Sequence, residues 1–175
     1  MRLAGETKHL RDVLHPSRGR HYIGTFDGLT VVTSWDLASA LFGEAAAQKI
    51  SRSAVPGFQQ AVLQTYPDAA ILGIVLHSVV NLWGVALFQN GQAQRIASGA
   101  ADDGWIIREG PELPEEQSRP EDFTLPEDGE DVALAATARV FGHRLDDPAP
   151  HWSGDLPMQS FSLTQPGLLS RLLGR

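Results

Sequence analysis

The 175-residue chain contains no cysteine. That excludes disulfide staples, thiolate metal sites and a cysteine nucleophile, and it fits a reducing compartment such as the cytoplasm. Basic residues are also scarce: 14 Lys and Arg stand against 21 Asp and Glu, a formal net charge of −7. Such a balance argues against a nucleic-acid binder and points to a basic protein as the charged partner it suits. The opening residues MRLAGETKHL have no apolar h-region, so no signal peptide is expected.

Catalytic signatures are missing as well. Gly24, Gly28 and Gly104 occur singly, and none opens a helix as a G-x-G-x-x-G phosphate loop would. No G-x-S-x-G elbow surrounds a serine. His21, His77, His143 and His151 lie far apart, with no H-x-x-x-H or H-E-x-x-H pair and no carboxylate at ligand spacing. His9 and His15 flank a short helix expected before Pro16. Neither a metal nor a cofactor is expected.

What the chain does have is one long apolar stretch, Ala69 to Ser98, around which the rest is organised. Its first part, Ala69 to Phe88, carries no charge and matches the roughly 20 residues that span a bilayer as a helix. Against that reading stand His77, Ser78 and Asn81 in its middle, Gly73 and Gly84 spaced through it, and several β-branched valines. Asn90-Gly91 then offers the two positive-φ residues of a type I′ turn. The stretch therefore reads as a central strand Ile71–His77, a turn over Ser78–Asn81, and a hairpin of Leu82–Phe88 with Gln92–Ala97. No membrane span is expected.

Around this centre the chain alternates its periods. His21–Phe26 and Leu29–Ser34 flank Asp27-Gly28 as a second hairpin. Trp35, Ala38, Leu41 and Phe42 then recur at helical spacing, with Thr33 or Ser34 as N-cap and Asp36 in the first turn. A helical turn follows over Glu44–Ile50, and another helix from Pro56 carries the stripe Phe58, Ala61, Val62 and Tyr66. Asp102-Asp103-Gly104 reads as a turn and Trp105–Ile107 as an edge strand. Glu109 to Asp131 is acidic, proline-rich and without apolar spacing, the pattern of a draped or mobile loop. A helix from Val132 to Leu145 presents Leu134, Ala138, Phe141 and Leu145 as its stripe. The tail has a short strand at Gln159–Leu163 and a terminal helical turn over Pro166–Leu173.

The run LHSVVNLWGVALFQNGQAQRIASGAADDGWI, preceded by YIGTFDGLTVVTSWDL and followed by an Ala-rich helix, resembles a family of uncharacterised bacterial proteins, a domain of unknown function. In that family a His-Ser-Val-Val-acid/amide-aromatic block leads into a hairpin with an Asp-Gly or Asn-Gly turn. The resemblance covers about residues 21 to 145, and Asn81 stands where the pattern implies Asp. It implies a shared α+β fold and brings no activity with it.

The length fits a single domain over residues 1–175: an N-terminal helix and hinge (1–20), a core (21–145) holding the acidic loop (109–131), and a tail (146–175). The fold class is α+β, with a mainly antiparallel sheet of roughly five or six strands and helices packed on one face. The only catalytic candidates are His77 and Ser78, and neighbours on a strand point to opposite faces, so the histidine is badly placed to activate the serine. Candidate partner or ligand contacts are Asn81 and Trp83 near that turn, Glu115, Glu116 and Asp122 in the acidic loop, and Trp152 in the tail. Two functions remain open: an interaction module of the immunity or antitoxin kind whose acidic surface meets a basic partner, and a small hydrolase or ligand-binding enzyme built on His77–Trp83.

Overall fold

A computed structural model describes residues 21–26, 29–117, 129–142, 144, 146 and 159–161. The apolar stretch forms its centre. Strand β3 (Ile71–His77) pairs antiparallel with β4 (Leu82–Gln89), β4 with β5 (Gln92–Ala100), and β5 with β6 (Gly104–Glu109), in the order β3-β4-β5-β6. Two positive-φ residues, Asn90 (φ 51°) and Gly91 (φ 70°), join β4 to β5, and Gln89 faces Gln92 across them. This is the two-residue hairpin that the Asn-Gly pair predicts. The remaining strands, β1 (His21–Phe26), β2 (Leu29–Thr33) and β7 (Gln159–Phe161), form a separate antiparallel sheet in the order β2-β1-β7. There are thus two sheets in place of one. The chain passes from β2 straight into helix, and only after three helices does it lay down β3.

Those helices are α1 (Trp35–Ala40), α2 (Glu44–Ile50) and α3 (Phe58–Thr65). Ser34 caps α1, its hydroxyl accepting from the Leu37 N–H at 3.3 Å, with Asp36 in the positive first turn. All three helices pack on one face of the four-stranded sheet, where Leu37, Phe42, Ala47, Ile50, Phe58 and Val62 meet Val75, Ala86, Phe88 and Ile96. The approach is close because glycine leaves room: a Cβ on Gly73 would sit 2.7 Å from Leu41 Cδ1, and one on Gly84 equally near Phe42. Both glycines are places where a helix comes down onto the sheet.

The other face is covered too. Successive residues of a strand alternate sides. Trp83, Val85 and Leu87 therefore point away from Phe42 and join Ala97, Leu113 and Ala136 in a second core. There they meet α5 (Gly129–Phe141), beside a short α4 (Pro114–Gln117). So the α+β class and the antiparallel sheet are as expected and α1–α3 share one face, but α5, expected on that same face, covers the opposite one, because the alternation of β4 turns Trp83, Val85 and Leu87 toward it. Its buried stripe also differs from the expected Leu134, Ala138 and Phe141: Gly129, Val132, Ala133, Ala136 and Thr137 are the buried residues. The reason is Trp83. A Cβ on Gly129 would fall inside the indole ring, so the small residues of the helix turn toward it.

Among the described residues no helix is long and apolar enough to cross a membrane. The expected terminal helices and the Asp27-Gly28 turn lie outside the described residues.

Candidate functional site

β3 ends at His77, and a single 3-10 turn, Ser78–Val80, leads to Asn81, which adopts the left-handed conformation (φ 44°). Asn tolerates that region better than most residues, and here it sends the chain back into β4. His77 is exposed, and its ring meets the edge of Trp35 at the start of α1, centroids 5.9 Å apart at 74°. Ser78 is exposed, and no hydrogen bond joins it to His77. Val79 is 86% exposed, Val80 49% and Trp35 38%; these are the exposed large hydrophobics among the described residues. Val79 and Val80 lie on this turn and Trp35 meets His77 at its start, so the four residues form one rim.

Trp83 does not belong to the rim. It is buried on the opposite face of the sheet, edge-on to Trp105 at 5.4 Å, and its indole N–H has no partner among the described residues. His77 and Trp83 are thus separated by the sheet. Arg108 lies over Trp105 at 4.9 Å and extends that aromatic pair toward solvent.

The acidic candidates have a different fate. Arg95, on β5, is 1% exposed, and its Nε and Nη2 donate to the two carboxylate oxygens of Glu116 at 2.9 and 2.5 Å. Nη1 donates to the carbonyls of Glu109 (3.3 Å) and Gly110 (2.8 Å), and Glu116 also accepts from the Leu113 N–H at 2.8 Å. Each group is satisfied, as a buried ion pair requires. Glu115 accepts from Arg139 on α5 at 2.8 Å, and Arg108 pairs with Glu112. The acidic stretch is therefore stitched down as far as Gln117, not draped. Asp122 and Trp152 lie outside the described residues. Nothing in the composition marks Arg95; the usable signal is an arginine leading directly into the small and apolar run Ile96–Ala100 of its strand.

Beyond the acidic segment, Arg144 is held above the ordinary arginine range by hydrogen bonds to Asp146 first and Asp131 second. The same hydrogen bond lowers Asp146. An open groove of about 400 Å³ lies between α1, α2 and α3, lined by residues such as Ala47, Val55, Pro56 and Gln59, and its one carboxylate is Glu44. No group of three or more His, Asp or Glu among the described residues is arranged to hold a metal.

Fold and rim together define an α+β domain with a four-stranded antiparallel sheet covered on both faces and an exposed apolar turn at one end. The chain belongs to DUF6928, a family of unknown function, whose family model matches residues 2–161. No curated protein and no solved structure matches it.

Proposed function

We propose that the protein is a non-catalytic interaction module, of the kind immunity and antitoxin proteins represent, and that it binds a basic protein through the rim of Trp35, His77, Val79 and Val80. The observation that carries this reading is the gathering of the exposed large hydrophobics among the described residues at one place, Val79 and Val80 on the turn and Trp35 against His77 at its start. Scattered single apolar residues are normal on a surface, whereas clustered ones mark contact sites. Aromatic and aliphatic anchors at the centre of an interface supply most of its binding energy. The net charge of −7 supports a basic partner through long-range attraction. The hydrolase alternative draws less support, because His77 and Trp83 stand on opposite faces of the sheet and Ser78 makes no hydrogen bond to His77.

Capture from a native lysate with wild type and with Val79→Asp/Trp35→Ala tests the proposal. Burying a valine is worth about 1.5–3 kcal/mol and each 1.4 kcal/mol is tenfold in affinity, so capture should weaken by about tenfold or more with an unchanged melting temperature. Equal capture by both proteins would refute the rim. Turnover of a small substrate that His77→Ala abolishes in a folded protein would favour the enzyme reading.

A further inference from the structure

The two outer edges of the four-stranded sheet are unlike each other. β6 carries Arg108 and Glu109 and meets β5 through a register shift at Ser98/Gly99. Charge and irregularity are the ordinary guards of a sheet edge. β3 has neither. Its seven residues, ILGIVLH, pair with β4 without a shift and include no charged residue and no proline. On its other side the N–H and C=O groups that point outward have no partner among the described residues. Leu72, Ile74 and Leu76 project to the α5 face and are half-buried, because α5 lies chiefly across β4. Ile74, in the middle, belongs to neither core formed by the described residues.

We propose that this edge is the seat of a symmetric dimer, in which β3 of one copy pairs antiparallel with β3 of a second copy about a two-fold axis at Ile74. The proposed edge adjoins the partner rim at His77, its last residue, but the proposal does not depend on that reading. The second copy is the occupant the residues fit. Centring on Ile74 is the register that uses all seven residues, and it sets Leu72 opposite Leu76, Gly73 opposite Val75 and Ile74 against itself, as an isologous interface demands. On the α5 face the pairs Leu72–Leu76 and Ile74–Ile74 are apolar and half-buried, Gly73 and Val75 face their own chain's helices, and the end pair sets Ile71 against His77. In a chain of net charge −7, no charge meets its like across this edge. A strand from a basic protein would bring lysine or arginine to an edge with no carboxylate to receive it. The pairing would satisfy about six to eight backbone groups now facing outward.

The chain has no cysteine, so Ile74→Cys introduces a single thiol that the axis places opposite its own copy. Facing Cα atoms of an antiparallel pair are about 4.5–5.5 Å apart, within the span of a disulfide. Light scattering after size exclusion should give the mass of two chains for wild type and of one chain for Ile74→Lys with unchanged circular dichroism. Mild oxidation should link Ile74→Cys into covalent dimers and leave Gln60→Cys, exposed on α3, as single chains. Should Ile74→Lys fail to fold, the cross-linking decides. A wild-type protein of single-chain mass at its highest soluble concentration overturns the proposal. If its outward-facing β3 amides then resist hydrogen exchange, another segment of this chain covers the edge; if they exchange freely, the edge is left to a foreign strand. A dimer that Ile74→Cys does not link overturns it as well.

Discussion

Replacing Glu116 with alanine removes both oxygens that accept from Arg95, at 2.9 and 2.5 Å, and the oxygen that accepts from the Leu113 N–H. The guanidinium, 1% exposed, would keep only the carbonyls of Glu109 and Gly110. Removing one member of a buried, hydrogen-bonded pair costs about 3–5 kcal/mol, because the charge left behind has lost both its counter-ion and its water. That is a large part of the roughly 5–15 kcal/mol that holds a domain folded. At about 2–4 °C per kcal/mol for a chain of this size, the melting temperature should fall by about 6–20 °C. The double variant Arg95→Met/Glu116→Leu should be far milder, since no unpaired charge remains. Urea unfolding followed by circular dichroism gives all three free energies. A loss below about 0.5 kcal/mol for Glu116→Ala, the range of an ordinary surface change, would mean that water reaches the guanidinium and would refute the reasoning.

Gly129→Ala should destabilise by about 1–3 kcal/mol although alanine favours helices, because the added methyl collides with the Trp83 ring; an equal or higher melting temperature would count against that contact. Gly91→Val should cost about 1–3 kcal/mol through strain at φ 70°, since its surroundings are open enough that space is not the issue; unchanged thermal unfolding would contradict the turn. Arg144→Gln should raise the Asp146 pKa toward its ordinary value, read by NMR titration. The sign follows from the lowered folded-state value: whatever stability that carboxylate contributes is present above the ordinary range and is lost as pH falls through its folded pKa.

The central sheet was legible because its signals are local. Residues 71–77 lack charge and are bounded by Pro67-Asp68 and by a polar turn, and Asn90-Gly91 can do little but reverse a hairpin. Ser34 as cap follows the same logic, whereas Gly142 (φ 80°) ends α5 at Phe141, short of the expected Leu145. What failed to show depends on partners distant in sequence. The phase of α5 is set by Trp83, 46 or more residues earlier, and helical periodicity alone favoured its larger leucine over its alanines. Arg95 and Glu116 each look like surface charges until the fold brings them together across 21 residues. The rim was half legible. His77, Ser78 and Asn81 stood out as polar residues in apolar sequence and Ser78–Asn81 read as a turn, but nothing local marked Val79 and Val80 as the solvent-facing residues of that turn.

The internal pairing of the acidic segment also decides which substitutions can test attraction to a basic partner. Reversing Glu115 or Glu116 would break the contacts to Arg139 or Arg95, so any loss of binding would report damage to the fold. Glu109 and Glu130 are exposed and make no ion pair with a described residue, which makes them the cleaner choice. Glu130 lies in the first turn of α5, so neutralising it forfeits about 0.3–1 kcal/mol of helix-dipole stabilisation and little else. Glu109→Lys/Glu130→Gln lowers the net negative charge while leaving the rim untouched. If a basic partner is steered by the field of the whole chain, association with this variant should be slower at low salt. The difference should vanish as the Debye length falls from about 10 Å at 0.1 M to about 3 Å at 1 M salt. Dissociation, governed by the apolar contacts, should barely change. Surface plasmon resonance with the captured partner at several salt concentrations separates the two rates. Identical association rates for wild type and variant at low salt would remove charge from the account and leave recognition to Trp35, Val79 and Val80.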